Sequence, residues 1–453
     1  MADKNSAIAG EEPPSVAGLS IAGTSEAPAA GAVEQQIDPW SVSAGQDAEG
    51  NVLAFDYPAI SNRKWNTKLI DQAILERFER VTGHRPHRWL RRGLFFSHRD
   101  LDKILDTYEK GKDFFLYTGR GPSSDNIHIG HTIPFEFTKW LQDVFDVPLV
   151  IMLTDDEKAL FREDLTIEQT MKFSIENAKD ILALGFDVKK TFIYSDLKFY
   201  GNGGSHMLWN AFEFSKLIPF NQVRGAFGFD GSTNTGRIFF PNFQCVAAFA
   251  TSYPFIWGDD VNSPIRSKKT AAIPCLIPCA IDQDPYFRLV RDNSLRMKNP
   301  SPKPALIHSK FLTALQGPGG KMSASNPNSA IFMSDKPKEI QKKINKYAFS
   351  GGQETVELHR ELGGNPDVDV AYQYLTYFED DDEKLDKIYA AYKSGEMLTG
   401  ELKKECINLM QAYVKGFQER RTQVTDEVLE QYMKPRKLEW LGKKGKSAPP
   451  AET

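Results

Sequence analysis

Between residues 114 and 308 the chain alternates two hydrophobic textures. Residues 114–118, 148–153, 191–194, 275–280 and 305–308 are short, nearly continuous apolar runs. Runs of this length, bounded by turn residues, predict strands covered on both faces. Between them the apolar positions recur every three or four residues. Ile133, Phe137, Trp140, Leu141 and Val144 mark the inner face of a helix over 131–145. Pro134 places its start close to His131, because proline belongs in a first turn. Thr166 and Gln169 have capping-box spacing ahead of a helix over 167–184, which Gly185 is placed to end. A third helix is predicted from residue 285 to 295. The alternation predicts an α/β chain built on a doubly wound parallel sheet, Rossmann-like in its connections.

Beyond Ser334 the strand-like runs stop. Residues 338–347, 370–378, 383–392, 401–420 and 426–433 all carry helical spacing, which predicts a separate all-α unit. Upstream, Val52, Phe55 and Tyr57 read as a strand and 65–81 as an amphipathic helix. Residues 1–35 are rich in Ala, Gly, Ser, Pro and Glu without apolar period, and read as a disordered tail. The expected organisation is that tail, an N-terminal extension over 36–100, an α/β unit over 101–334 and a helical unit over 335–441. The last helix of that unit is placed to pack back on the α/β unit. A disordered basic tail over 442–453 follows.

Composition narrows the setting. The 453 residues are 41% hydrophobic with a formal charge of −4, so a nucleic-acid partner would have to be met by a local basic patch. No apolar run approaches the ~18 residues of a membrane span, and the N-terminus lacks a charged-then-apolar signal pattern. The 4 cysteines make no disulfide framework, which predicts a reducing, cytoplasmic setting. Cys275 and Cys279 lie in an apolar run without partner ligands at tight spacing, so core thiols are expected and no protein-held metal.

The candidate chemistry starts at His128-Ile129-Gly130-His131, after the first strand and a loop of sequence TGRGPSS at 118–124. Such a run alone is weak, arising by chance in roughly one chain of this composition in a hundred. Its position changes that. A helix N-terminus already favours an anion, and two imidazoles add donors for phosphate oxygens. Gly130 lets a ligand approach the backbone closely. In doubly wound sheets the ligand crevice lies beyond the C-terminal strand ends, where this loop falls. Lys321-Met322-Ser323-Ala324-Ser325 follows a glycine-rich stretch at 317–320. A lysine on such a loop suits a pyrophosphate leaving group, and the loop can close and reopen. Each run has a plain alternative, helix-capping histidines or an exposed loop. Together they predict a site that holds a nucleoside triphosphate and transfers its α-phosphate end.

The two runs resemble the paired signatures of class I aminoacyl-tRNA synthetases. YTGRGPSS at 117–124, TDDEK at 154–158, AIDQDPYFR at 280–288 and LTGELK at 398–403 are similar to the cytosolic eukaryote-type tryptophanyl-tRNA synthetases. The resemblance covers 38–440 and leaves the N-terminal tail outside. It implies activation of L-tryptophan with ATP to tryptophanyl-adenylate, transfer to tRNA(Trp), and a homodimer. His128, His131, Lys321 and Ser323 would be catalytic, with Thr118, Arg120, Gly130 and Met322 joining them around ATP. Mg2+ would be carried by ATP. Tyr117 would meet the indole, Glu157, Gln244 and Gln283 the polar groups of tryptophan, and Gly119 and Phe287 would line its pocket. The helical unit would read the anticodon, with Lys434, Arg436, Lys437, Lys443, Lys444 and Lys446, or the basic run 85–92, as candidates for the RNA backbone. The acidic run 379–383 should face away from phosphate. The segment 38–57 resembles an extension that folds over the active site. Deleting 1–34 should then leave activation intact while deleting 1–60 impairs it, as pyrophosphate exchange would report.

One departure stands out. Position 152 is Met where many relatives place a Gln that shares the indole N–H, which throws more weight on Tyr117. Three alternatives remain at this point: a tyrosyl-tRNA synthetase, a small-metabolite nucleotidyltransferase, and a non-catalytic descendant. Gln244, Gln283 and AIDQDPYFR argue against the first. The long helical unit argues against the second, and the intact histidines and Lys321 against the third.

Overall fold

The structure, a computed structural model, describes residues 35–37, 39, 42–43, 45–46, 55–61, 65–317, 322 and 326–445. The expectations for residues 1–34, Val52, Lys321, Ser323 and Lys446 fall outside these.

A seven-stranded sheet organises the chain. Its strands are β1 (Lys68–Leu69), β2 (Phe95–Arg99), β3 (Phe115–Arg120), β4 (Leu149–Leu153), β5 (Thr191–Ser195), β6 (Cys275–Ala280) and β7 (Ala305–Ser309), in the spatial order β1-β2-β7-β6-β3-β4-β5. The five strands from β7 to β5 are parallel. β2 adds antiparallel to β7, and β1 to β2. From β3 the chain winds outward through β4 to β5, then returns to place β6 on the other flank of β3. The crevice between the tips of β3 and β6 is therefore the switch point, where such sheets bind ligands.

Both faces of the sheet are covered, which explains the unbroken apolar runs. Leu116, Leu149, Ile151 and Leu153 pack on one side with the helix Ile129–Phe145 (α1). Phe115, Tyr117, Val150 and Met152 face the other side, against Cys245, Phe287 and their neighbours. All four cysteines are free and buried, as expected of core thiols.

Several elements differ from the pattern-based expectation. α1 begins at Ile129, with His128 as its N-cap and His131 at its third position. Pro134 thus sits in the second turn and has no N–H to offer the Gly130 carbonyl. The stretch at 55–57 is not a strand. Asp56 caps a short turn, Tyr57–Ala59, by accepting the Ala59 N–H at 2.9 Å, and Pro58 suits its start. Phe55 and Tyr57 instead join an aromatic cluster with Phe96 and Phe311. The helix expected over 65–81 is Gln72–Thr82, because Asp71 accepts the Ile74 N–H at 3.0 Å and caps it there. The helix Ile167–Leu182 (α3) has the predicted reciprocal Thr166–Gln169 capping bonds.

From residue 337 the described chain is helical: Pro337–Tyr347, Val356–Leu362, Val370–Phe378, Asp382–Lys393, Thr399–Arg421 and Asp426–Met433. The charged runs at 85–92 and 379–383 turn out to be partners. Arg92 donates to Asp382 and to the carbonyls of Thr376 and Glu379; Arg91 also reaches Asp382, and Arg88 pairs with Asp380 at 2.8 Å. Arg88, Arg91 and Arg92 thus form an internal tie and are spent within the protein, while Arg85 of the same run stays exposed. Arg436 is likewise spent on the carbonyls of Val188 and Thr191. Tyr432 in the last α-helix donates to the Phe186 carbonyl at 2.6 Å, and Trp440 to Asp113 at 3.0 Å. The stretch from Tyr432 to Trp440 thereby lies against the sheet unit.

Candidate active site

A cavity of about 320 Å3 opens at the β3/β6 switch point. It is lined by Tyr117, Thr118, Gly119 and Arg120 from β3, by Glu157 behind β4, by Gln244 and by the β6 exit. His128, Gly130 and His131 at the start of α1 and Met322 complete the other end. Every described residue assigned to the site from sequence thus converges on one space.

The histidine end is built by the helix cap. His131 Nδ1 accepts the backbone N–H of His128 at 3.2 Å, so its proton resides on Nε2 and makes that nitrogen a donor. The two imidazoles stack with centroids 3.4 Å apart. A Cβ on Gly130 would come within 3.2 Å of His128 Nδ1 and 3.3 Å of Met322 Sδ, so a larger residue would crowd both side chains. Arg120 donates from Nε to Asn177 at 2.5 Å, while its Nη2 is buried without a hydrogen-bond partner among the described residues. Burial pushes the guanidinium down to about 10, still charged at neutral pH. The Thr118 hydroxyl is committed to the Pro278 carbonyl at 3.2 Å and ties β3 to β6. Cationic and N–H donors therefore collect at this end, which suits phosphate oxygens.

The opposite end is apolar with a few polar points. Tyr117 is buried, and its hydroxyl donates to Met152 Sδ at 3.2 Å. Phe287 meets its ring edge-to-face at 6.1 Å. Burial raises the phenol well above its ordinary value, so it stays protonated. With its proton directed at the sulfur, the hydroxyl oxygen keeps its lone pairs as an acceptor. Gln244, on the helix Pro241–Val246 (α4), and Gln283, just before the helix Asp284–Asn293 (α5), are linked at 3.4 Å. Arg99 holds the start of α5 by a two-pronged contact to Asp284 at 2.7 and 2.8 Å.

Glu157 lies in the first turn of the helix Asp155–Phe161 (α2), accepting from Thr154 at 3.1 Å and Lys158 at 2.9 Å. It is buried, not an exposed helix-start carboxylate. The aspartates beside it are what sequence reasoning passed over. Asp155 accepts from the Ser195 hydroxyl at 2.5 Å and pegs α2 to the tip of β5. Asp156 accepts the Glu157 N–H at 2.7 Å and the Tyr200 hydroxyl at 2.9 Å. The TDDEK run already contained both, but nothing in it reveals that they are buried beside Asp196.

Burial pushes Asp156 up to about 7, and burial together with Asp156 holds Asp196 well above the usual carboxylate range. An unfolded aspartate ionises near pH 3.9. Each proton that the folded state still holds above that pH therefore costs about 1.4 kcal/mol of stability per further pH unit. Asp196→Asn removes that cost. Its melting temperature should gain on the wild type as pH rises from ~6 to ~8. Parallel melting curves across that range would show that Asp196 does not carry the proton.

Paired histidines at the mouth of a doubly wound sheet, with an amino-acid-sized pocket beside them, define a class: enzymes that activate a carboxylate with a nucleoside triphosphate on a class I synthetase scaffold. Residues 109–415 match the model of the class I tRNA synthetases (W and Y). The chain is 54% identical to the cytoplasmic tryptophan–tRNA ligase of Saccharomyces cerevisiae over 420 residues, 93% of this chain and 94% of that protein. The human cytoplasmic tryptophan–tRNA ligase is 52% identical over 407 residues, 90% of this chain and 82% of its own length. A solved tryptophanyl-tRNA synthetase from Encephalitozoon cuniculi bound to tryptophan superposes with a TM-score of 0.74 at 40% identity, covering 84% of this chain and 98% of that one. The chain belongs to the class I tRNA synthetases for tryptophan and tyrosine, among the tryptophan–tRNA ligases.

Proposed function

We infer that this chain activates L-tryptophan with ATP, releasing pyrophosphate, and then esterifies the 3′ end of tRNA(Trp). The observation that carries it is the two-ended cavity: a buried hydroxyl acceptor in an apolar pocket at one end, N–H and cationic donors at the other. A tryptophan carboxylate oxygen attacks the α-phosphorus, forming the mixed anhydride, and the bond to the β-phosphate oxygen breaks. The indole N–H is received by the Tyr117 oxygen, and Glu157 and the linked glutamines take the polar end of the amino acid. Gly119 and Phe287 shape the indole slot.

His131 Nε2–H, His128, Arg120 and the Gly130 backbone serve the phosphates, with Lys321 and Ser323 brought in on their loop. Developing negative charge is met by donors already in place, which needs no reorganisation during the reaction. The side chains at this end are donors to phosphate rather than oxygen ligands for a cation, so Mg2+ is assigned to travel with ATP. Exchange of ATP with pyrophosphate, screened with all twenty amino acids, tests the assignment. Tryptophan alone should support it, and exchange driven by tyrosine would overturn it.

The helical unit is assigned to the anticodon end of the tRNA, with exposed Lys434 and Lys437 left for the backbone, while Lys443 donates to the Glu109 carbonyl at 3.3 Å. A homodimer is supported by aromatic side chains left in solvent on consecutive helices. Phe212 is 61% exposed and Phe220 45% exposed, on Ser205–Ser215 and Phe220–Phe227. A single monomeric species in sedimentation at micromolar concentration would remove that assignment. Like the relatives named above, the protein is placed in the cytoplasm.

A further inference from the structure

Lys310 has no role in the machinery described so far. It follows directly on β7, whose tip stands beside that of β6, and its backbone N–H is fixed by the Leu94 carbonyl at 2.8 Å. Its side chain lines the same cavity as His131, Arg120 and Met322. The side chain is half-buried, and among the described residues no carboxylate pairs with it. Burial alone pushes its ammonium below the ordinary lysine value. Among the described residues its ammonium meets a ring, lying 5.5 Å from the centre of Tyr57.

A desolvated cation without a counter-ion is costly, and an aromatic face offsets only part of that cost. Proteins hold such groups where an anion arrives. Here the ring that carries the cation is itself held in place. Tyr57 accepts the Phe311 N–H at 3.0 Å and packs against Phe96 at 5.2 Å and Phe55 at 5.8 Å. Tyr57 belongs to the N-terminal segment, whereas Lys310 directly follows the last strand of the sheet, so the contact joins that segment to the wall of the cavity.

We propose, on the basis of the ATP-dependent activity inferred above, that Lys310 is a second lysine for the triphosphate, binding the β/γ-phosphate end of ATP while seated on Tyr57. The charge distribution of the cavity favours this end. The tryptophan end has Glu157 with its own Lys158 and needs no further cation, whereas the phosphate end must meet several negative charges. Tyr57 then gives the N-terminal segment a defined contribution to nucleotide binding: it holds the lysine in the cavity instead of letting it turn to solvent.

Titration calorimetry of the full-length protein with ATP–Mg, and with AMP as control, tests this without any amino acid present. Lys310→Met, of similar length and apolar, should raise the ATP dissociation constant roughly tenfold or more. It should leave AMP binding and the melting temperature nearly unchanged. Lys310→Arg should restore most of the affinity, and Tyr57→Leu should weaken ATP binding in the same direction by a smaller factor. Unchanged ATP affinity in Lys310→Met overturns the proposal. So does equal weakening for AMP and ATP, which would place the contact on the nucleoside, and so does a Lys310→Arg variant as weak as Lys310→Met. A wild-type protein that binds ATP but gives no tryptophan-dependent exchange would instead refute the proposed function, leaving the phosphate contact to be judged by the calorimetry.

Discussion

His131→Ala is expected to slow tryptophan-dependent ATP–pyrophosphate exchange by about 10²–10³, the range typical of removing one preorganised transition-state donor. The loss should fall mainly on kcat, because a donor aimed at growing charge contributes more to the transition state than to bound ATP. The ring has a second duty, however: its Nδ1 accepts the His128 N–H at the start of α1. His131→Asn separates the two. An asparagine at the third helical position can still accept that N–H, but it withdraws the Nε2 donor. Equal losses in the two variants assign the effect to the donor. Recovery in the asparagine variant would assign it to the helix start and remove His131 from direct catalysis.

The second large effect is expected at the other end of the cavity. Tyr117→Phe should raise the KM for tryptophan about tenfold, since leaving a buried donor unpaired costs about 1–3 kcal/mol. The KM for ATP should move less than about twofold, because the phosphate donors are untouched. The structure makes this test sharper than usual. The Tyr117 hydroxyl proton is engaged by Met152 Sδ, so the oxygen is left to act as an acceptor. A methionine cannot itself substitute as a strong acceptor for the indole. Equal changes in both Michaelis constants would sink the assignment of Tyr117 to the indole.

The parallel core of this fold was plain in the hydrophobic pattern because its strands are covered on both faces and read as unbroken apolar runs. β2 was not, since Ser97, His98 and Arg99 interrupt it with polar side chains that find partners only in three dimensions. The start of α1 was displaced by two residues for a similar reason. Pro134 normally marks a first turn, but here two histidines satisfy the helix end one turn earlier. Of the site, residues in contiguous runs were readable and residues defined by long-range neighbours were not. Lys310 looks like any lysine after a strand until Tyr57 arrives from more than two hundred residues upstream. The buried aspartate pair needed the tip of β5 to bring Asp196 beside Asp156. The run of arginines at 85–92 gave the opposite error, since their partners at 380–382 are equally remote in sequence.

That tie between Arg88, Arg91 and Arg92 and the aspartates of the helical unit also shapes what a distant polyanion senses. Separately, the strongest basic and acidic runs of the chain would each project a potential into solvent. Placed in contact, they form compact dipoles whose field fades faster than that of isolated charges and is further cut by a Debye length of about 8 Å in physiological salt. An approaching tRNA is thus neither steered by the arginines nor repelled by the aspartates. Its long-range guidance falls to the scattered lysines, and the far field of the protein is quieter than its charge pattern suggests.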